Sequence, residues 1–482
     1  MSSVYDKYET VIGLEVHAQL LTKSKAYCSD VNEFGAIPNT NISAISLGHP
    51  GSLPKANKET IRFAVKLGLA LGSDITEDMN YDRKNYFYPD LPKGYQITQD
   101  KTPICWGGKV NIKTAENEDK VINITRVHLE EDAGKSIHDQ DAYDTLVDLN
   151  RAGVPLVEIV TEPEIKNSTE AYNYLVEVRK LVRYLDICDG NMEEGSMRCD
   201  ANISVMLKGS EVFGERCEIK NMNSIRNVQR AIDHEVMRQI DIIEAGGNIS
   251  METRNFDAVS GTTSLMRSKE EAHDYRYFPE PDLQPLKVTQ EYIDVIKGQM
   301  PPLPQELYKK YTSELSLSEY DASNLTDTKE IALFFEEIIE KTENYKAAAN
   351  WMMGSVKSYL NQNALEIEQF PLTATKIAEI IKLVDDKKII TSTAEQRLFP
   401  ALIGEPEASV EQLAEKNGWI VKSDSNELES IVKSVFEDNP GEFERLKNGE
   451  KKLMGFFMGQ IMRASKGSAD PKSVTQVINK LL

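Results

Sequence analysis

Apolar positions over the first 290 or so residues recur with two different periods. Ala201, Ile203, Val205 and Leu207 alternate with polar neighbours such as Asn202 and Ser204. Period two is the signature of a strand with one buried face. Strand-like runs also occur at Glu9–Leu14, Val121–Val127, Leu146–Leu149 and Leu156–Val160, separated by glycine, proline and aspartate. The helical period predicts helices near 57–71, 169–186 and 225–245. In the second, Ser168 and Thr169 are good capping residues, Glu170 suits the first turn, and Leu175, Val178, Val182 and Leu185 form one apolar face. Strands and helices do not alternate regularly, and no strand leads into a glycine-rich helix start. That excludes dinucleotide-binding and P-loop readings.

The run Met300-Pro301-Pro302-Leu303-Pro304 breaks the pattern, because proline removes donors and restricts its neighbour. Beyond it the period is helical: Ile331, Phe334, Phe335 and Ile338; then Ala347, Met352, Val356 and Leu360; then Ile377, Ile380, Ile381 and Val384. Short helices follow from about 406. The fold class expected is α+β: a mixed α/β domain over 1–292, an all-helical domain over 293–405 and a small helical tail domain over 406–482.

The chain has 482 residues, 40% hydrophobic and 28% charged, which is ordinary globular composition. Its net charge of -21 disfavours non-specific coating of DNA. The charge is uneven. Residues from 406 onward carry 12 acidic and 11 basic side chains, and 441–482 alone carry 4 acidic and 8 basic. A basic tail on an acidic body is a candidate polyanion contact, and equally a plain solvated surface. The five cysteines (Cys28, Cys105, Cys188, Cys199 and Cys217) have no CxxC spacing, so a reducing compartment is expected. The first residues lack the basic and apolar regions of a signal peptide, and no run is apolar enough to span a membrane. A cytoplasmic location is expected.

Several polar constellations interrupt the apolar pattern. Glu15 and His17, two apart in a strand-like run, share a face and can share a metal or a proton. In Arg126–Ser136, three adjacent carboxylates, Glu130, Glu131 and Asp132, repel one another unless compensated. Glu130 or Glu131 can join a magnesium site, with Arg126 or Lys135 facing phosphates; a solvated acidic turn has the same composition. Tyr81–Gln96 and Asp274–Asp282 interleave aromatics, charges and prolines, as functional loops and packed rim loops both do. Arg198, Asp200 and Asn202 share one strand face, and Glu218 and Lys220 another. Together they suit a substrate bearing phosphates and a carboxylate.

These segments, in this order, resemble the B subunit of the tRNA-dependent aspartyl/glutamyl amidotransferases. The matching pieces are Val11–His17, Leu47–Pro54, Asp82–Gln96, Arg126–Ser136, Asp148–Leu156, Glu193–Asn202, Glu218–Ser224, Asp274–Asp282 and Gly459–Pro471. The resemblance implies an N-terminal cradle with a kinase-like site, followed by helical and tail domains that contact tRNA. It implies a heterotrimer with an amidase-type A subunit, which releases ammonia from glutamine, and a small C subunit, with neither DNA nor membrane as partner. The implied reaction is ATP- and magnesium-dependent amidation of Glu-tRNA(Gln), Asp-tRNA(Asn) or both, through a phosphorylated side-chain carboxylate. Carried over residue by residue, catalysis falls to Glu15, His17, Glu130 and Glu131. Metal binding falls to Glu15, His17 and Glu131, with Glu218 and Glu158 as further candidates. Nucleotide contacts fall to Arg126, Lys135, Arg198 and Lys220, and an ammonia route to Asp82, Lys84, Lys93 and Asp200. Contacts to tRNA fall to Lys451, Lys452, Arg463, Lys466 and Lys472. Many relatives bind zinc through four cysteines near 26–46. Here only Cys28 remains, beside Ser29, Ser43 and Ser46, so this segment is expected to be held by packing, without zinc. A tRNA-binding scaffold without chemistry and a stand-alone carboxylate–amine ligase are the competing classes.

Overall fold

The computed structural model describes residues 4–138, 140–268, 274–421, 425–465, 469 and 471–482. It divides into two compact units, Met1–Leu303 and Pro304–Leu482. Among the described residues of the first unit, ten strands form one sheet. They are β1 (Tyr8–Gln19), β2 (Asp74–Ile75), β3 (Cys105–Trp106), β4 (Lys109–Lys113), β5 (Asp119–Glu131), β6 (Pro155–Thr161), β7 (Met197–Leu207), β8 (Cys217–Lys220), β9 (Glu252–Asp257) and β10 (Thr262–Ser268). Their order is β10-β9-β8-β7-β1-β6-β5-β3-β2, with β4 also pairing β5. Only β8 and β9 are parallel neighbours among these strands; β1 lies antiparallel between β6 and β7.

The period-two pattern sorts side chains to the two faces. Ile12, Leu14, Val16 and Ala18 of β1 are buried, as are Val127 and Leu129 of β5, Val157 and Ile159 of β6, and Cys199, Ala201 and Ile203 of β7. They form one core with three helices, α1 (Lys58–Leu71), α2 (Ser168–Tyr184) and α3 (Ile225–Glu244). Local chemistry sets the helix ends. The Asn57 side chain accepts from the Glu59 N–H at the start of α1, and Gly72 closes it at φ +70°, the left-handed conformation glycine tolerates best. The cap of α2 is Asn167, which accepts from the Glu170 N–H; the helix therefore begins at Ser168, and the Ser168-Thr169 pair expected as its cap lies inside the first turn.

A small three-stranded sheet brings distant segments together. Its central strand, Asp82–Asn85, pairs with Tyr95–Thr98 on one side and Phe278–Pro279 on the other. Arg83 clamps the join with two hydrogen bonds to Glu280, at 2.7 and 2.8 Å.

The second unit is helical among its described residues. In the helix Lys329–Ile339, Ala332, Phe335 and Ile338 are the buried side chains. The last four helices, Ser425–Asp438, Pro440–Lys447, Leu453–Ala464 and Pro471–Leu481, share a core of their own around Phe436, Phe457, Ile461, Val474 and Ile478. Among the described residues, no helix is long and apolar enough to cross a membrane.

Candidate functional site

The face of the sheet opposite the core carries a band of charge. Register places Glu15 opposite Asp200 on one side and Val160 on the other, and His17 opposite Arg198 and Glu158. Glu158 in turn faces His128, and Asn202 faces Glu218. Alternation along five neighbouring strands therefore puts acids, imidazoles and cations in one patch.

Two trios of ligand-type side chains stand out. Ligand atoms of Glu15, Asp200 and Glu218 lie within 4.8 Å of one another, and so do those of His17, Glu130 and Glu158. Asn202 donates to Glu15 Oε1 at 2.9 Å, and Thr253 donates to Glu218 Oε2 at 2.8 Å. Lys220 bridges Glu218, at 2.9 Å, and Asp200. His17 Nε2 lies 3.3 Å from Glu158 and 3.6 Å from Glu130, while His128 Nε2 lies 3.2 Å from Glu158.

The electrostatics follow from burial and crowding. Burial, and then Glu158, Asp200 and Glu218, push the Glu15 carboxyl up. Burial opposes charge on His17, but Glu158 and Glu130 outweigh it and push the imidazole up to about 9; the same balance holds for His128, also up to about 9. Burial would raise Glu158, yet His128 and His17 hold it well below the usual carboxylate range. The Lys220 ammonium resists burial because Asp200 and Glu218 face it, and its pKa is raised. Five acids in a small volume face three basic side chains in and beside the trios, His17, His128 and Lys220, and three more, Lys84, Arg126 and Arg267, on the walls of the cavity above them. Hard oxygen donors with one imidazole suit magnesium better than a soft-ligand metal.

A cavity of 420 Å³ opens over this patch. Its other walls include Arg126, Arg267, Lys84, Tyr86, Tyr275 and Tyr277. The Lys84 ammonium stands 4.8 Å from the centre of the Tyr275 ring, and Tyr86 and Tyr275 meet edge to face at 5.9 Å. Burial works against the charge on Lys84, but Glu130 and other neighbours raise its pKa.

Of the residues singled out from sequence, Glu15, His17, Lys84, Arg126, Glu158, Asp200, Glu218 and Lys220 line the cavity, and Glu130 belongs to the second trio. Five others lie elsewhere. Glu131, the last residue of β5, is buried, bonded to Lys93 and accepting from the Ile97 N–H at 2.9 Å. Lys93 is thereby engaged away from the patch. Arg198 donates to Asp132 at 2.8 Å. Lys135 is exposed along a separate groove with Asp148 and Arg151. Asp82 is buried and accepts from the Asp100 N–H at 2.8 Å. The acidic turn expected at Glu130–Asp132 is corrected: β5 runs through Glu131, so Glu130 and Glu131 point to opposite faces of the sheet. Cys28 lies 3.5 Å from Ser46, which bonds to Asp30, and Lys25 ties the same loop through the Asn41 carbonyl at 2.7 Å. Lys451, Lys452, Arg463 and Lys472 are exposed, and Lys466 lies outside the described residues.

Sequence reasoning passed over His128, Arg267 and the meeting of Tyr86 with Tyr275. The signal for His128 was present: Arg126, His128 and Glu130 alternate with Val127 and Leu129. No local signal announces the aromatic wall, because its halves are far apart in sequence and meet through the small sheet.

Residues 10–294 match the GatB/GatE catalytic domain, and residues 333–482 match the GatB domain. The chain is 48% identical over 477 residues to the aspartyl/glutamyl-tRNA(Asn/Gln) amidotransferase B subunit of Thioalkalivibrio sulfidiphilus, covering 99% of this chain and 100% of that protein. It is 46% identical over 480 residues to the protein of the same name from Alkalilimnicola ehrlichii, with 99% of each covered. It is also 46% identical over 477 residues to that of Persephonella marina, covering 99% of this chain and all of the relative. Two matched domains and near-complete coverage at this identity place the chain in the family of aspartyl/glutamyl-tRNA(Asn/Gln) amidotransferase B subunits.

Proposed function

We propose that the chain activates the side-chain carboxylate of glutamate or aspartate misacylated on tRNA(Gln) or tRNA(Asn), and that the charged sheet face is where it does so. The observation that carries this reading is the pair of ligand trios, Glu15/Asp200/Glu218 and His17/Glu130/Glu158, under one cavity. A carboxylate is a poor electrophile. Its oxygen attacks the γ-phosphorus of ATP, the bond from that phosphorus to the β-bridging oxygen breaks, and ADP leaves. Ammonia then adds to the acyl carbon of the acyl phosphate, a proton is lost from nitrogen, and phosphate departs to leave the amide.

The side chains divide the work. Lys220, Arg126 and Lys84 offset phosphate charge and orient the transferred group. The two trios would hold magnesium, which when bound further offsets the charge of the phosphates. The tyrosines beside Lys84 shield the acyl phosphate from water. Ammonia comes from an amidase-type A subunit, held with this chain by a small C subunit in a cytoplasmic heterotrimer. Lys84 and Asp200 are the end of its route best placed for delivery; Asp82 and Lys93 belong to the supporting wall. The three-part division at 292 and 405 gives the cradle the chemistry and the remainder the tRNA.

The test is Glu15→Gln in the assembled heterotrimer. Amidation with either glutamine or free ammonia should fall at least about 100-fold, as loss of transition-state charge stabilisation does. Glutaminase turnover and tRNA affinity should persist. Near-normal amidation would remove the charged face from the reaction.

A further inference from the structure

Four tyrosines make one continuous wall beside the charged patch. Tyr86 and Tyr275 meet edge to face at 5.9 Å. Tyr88 packs edge to face against Tyr86 at 6.1 Å, and Tyr277 against Tyr275 at 6.0 Å. All four line the 420 Å³ cavity. The inner pair is half-buried, whereas Tyr88 is 54% and Tyr277 40% exposed. The outer rings therefore stand at the mouth, one on each of the two segments that the small sheet joins. Rings left open to water forgo the free energy of burial.

The local backbone holds them there. Arg276 has φ +44°, a left-handed conformation that a residue with a side chain adopts at a cost. Asn85 fixes it. Its side-chain amide donates to the carbonyls of Tyr275 and Arg276 at 3.1 and 2.8 Å, and its backbone N–H donates to the Tyr275 carbonyl at 2.9 Å. The turn leaves Tyr275 and Tyr277 on the wall, and the Arg276 side chain between them is 82% exposed.

The chemistry of the substrate says what meets this rim. The carboxylate to be activated belongs to an amino acid esterified to the terminal ribose of a tRNA. When that carboxylate lies over the trios, the ester is only a few bonds away, so the terminal nucleotide lies at the mouth. The last nucleotides of a tRNA are unpaired, and unpaired bases are held by stacking on aromatic rings and arginine planes. We infer that Tyr88 and Tyr277 are the stacking platform for the unpaired 3′ end of the tRNA, with Arg276 beside its phosphates. The inference rests on the reading of the charged face as the activation site, since that site brings the end to this mouth. ATP also carries a base, so the experiment separates the two.

Binding of uncharged tRNA to the assembled heterotrimer is measured without ATP, using full-length tRNA and the same tRNA lacking its unpaired 3′ end. The wild type should prefer the full-length form by about tenfold or more, the scale of one base–ring contact. Tyr88→Leu and Tyr277→Leu keep apolar bulk without a ring face. Each should lose most of that preference by weakening the full-length form alone. Tyr277→Phe should keep it. Affinity for the shortened tRNA and for magnesium-ADP should stay as in the wild type, which also shows that the variants fold. An unchanged preference in both leucine variants overturns the inference. So does a phenylalanine variant that behaves like leucine, because the ring face is then not what binds. Weakened ADP with the tRNA preference intact gives the rings to the nucleotide and overturns it as well. The underlying reading falls on a different result, normal amidation by Glu15→Gln, which these binding measurements do not touch.

Discussion

Glu158 stands between two imidazoles, and its charge sets theirs. His17 and His128 are each pushed up to about 9, while Glu158 is held well below the ordinary carboxylate range. Linkage gives the sign. Raised histidines contribute stability that is fully present below the unfolded value, about 6.5, and is lost as pH rises toward 9. The depressed carboxylate contributes stability present above its unfolded value, about 4.3, and lost as pH falls through its folded value. Metal-free protein should therefore gain most from this trio between about pH 4.3 and 6.5. Thermal unfolding in a chelator, from pH 6 to 9, should show a declining Tm. Glu158→Gln should flatten that decline and bring both imidazole titrations, followed by NMR, toward the ordinary range. An unchanged slope would mean that the histidines do not depend on Glu158.

At the scale of elements, packing overrides local propensity where α1 crosses the sheet edge. Gly68 lies inside this helix, where alanine would gain about 1 kcal/mol of propensity. A Cβ at 68 would lie 2.4 Å from Cys105 Sγ and 2.7 Å from Ile75 Cδ1, both on strands beneath. Overpacking of this kind costs about 1–3 kcal/mol. Gly68→Ala should lower Tm, and adding Cys105→Ala should recover part of the loss, because it removes the colliding sulfur. Strict additivity in that double-mutant cycle would show that the two positions do not touch. The same elements show what was legible in the sequence. The period of 3.6 located α1, α2 and α3 within a residue or two, because their apolar faces are wide and their caps are close by. Period two found β1, β5 and β6 but stopped them short. β1 continues through Glu15, His17 and Gln19, and β5 through His128 and Glu130, where charge interrupts the expected polarity. A functional face breaks the composition of a strand while keeping its alternation. Adjacent acids at Glu130, Glu131 and Asp132 thus looked like one cluster, although of the three only Glu130 stands in a ligand trio among the described residues. The aromatic wall depends on pairing between residues 82–85 and 278–279, and no local pattern encodes that pairing.

For the whole molecule, charge is distributed against its net sign. The chain carries -21, yet residues 441–482 hold 8 basic and 4 acidic side chains. Lys451, Lys452, Arg463 and Lys472 are exposed, and the tail core beneath them is built from Phe436, Phe457, Ile461, Val474 and Ile478. The two groups do not overlap, so the charges can be removed without emptying the core. Binding of tRNA by phosphate contacts releases counterions, and each contact adds about 0.7–0.9 to the slope of log affinity against log salt. Replacing Lys451, Lys452 and Arg463 together by glutamine should weaken tRNA binding by the assembled heterotrimer. It should also reduce that slope by about 2, if most of the three meet phosphates. Magnesium-ATP binding should be untouched, because the residues proposed to hold it lie in the unit Met1–Leu303. Affinity measured between about 50 and 200 mM salt decides the matter. Superimposable curves for the triple variant and the wild type would make the tail's positive charge an ordinary solvated surface, and the recognition of tRNA would then rest on other parts of the chain.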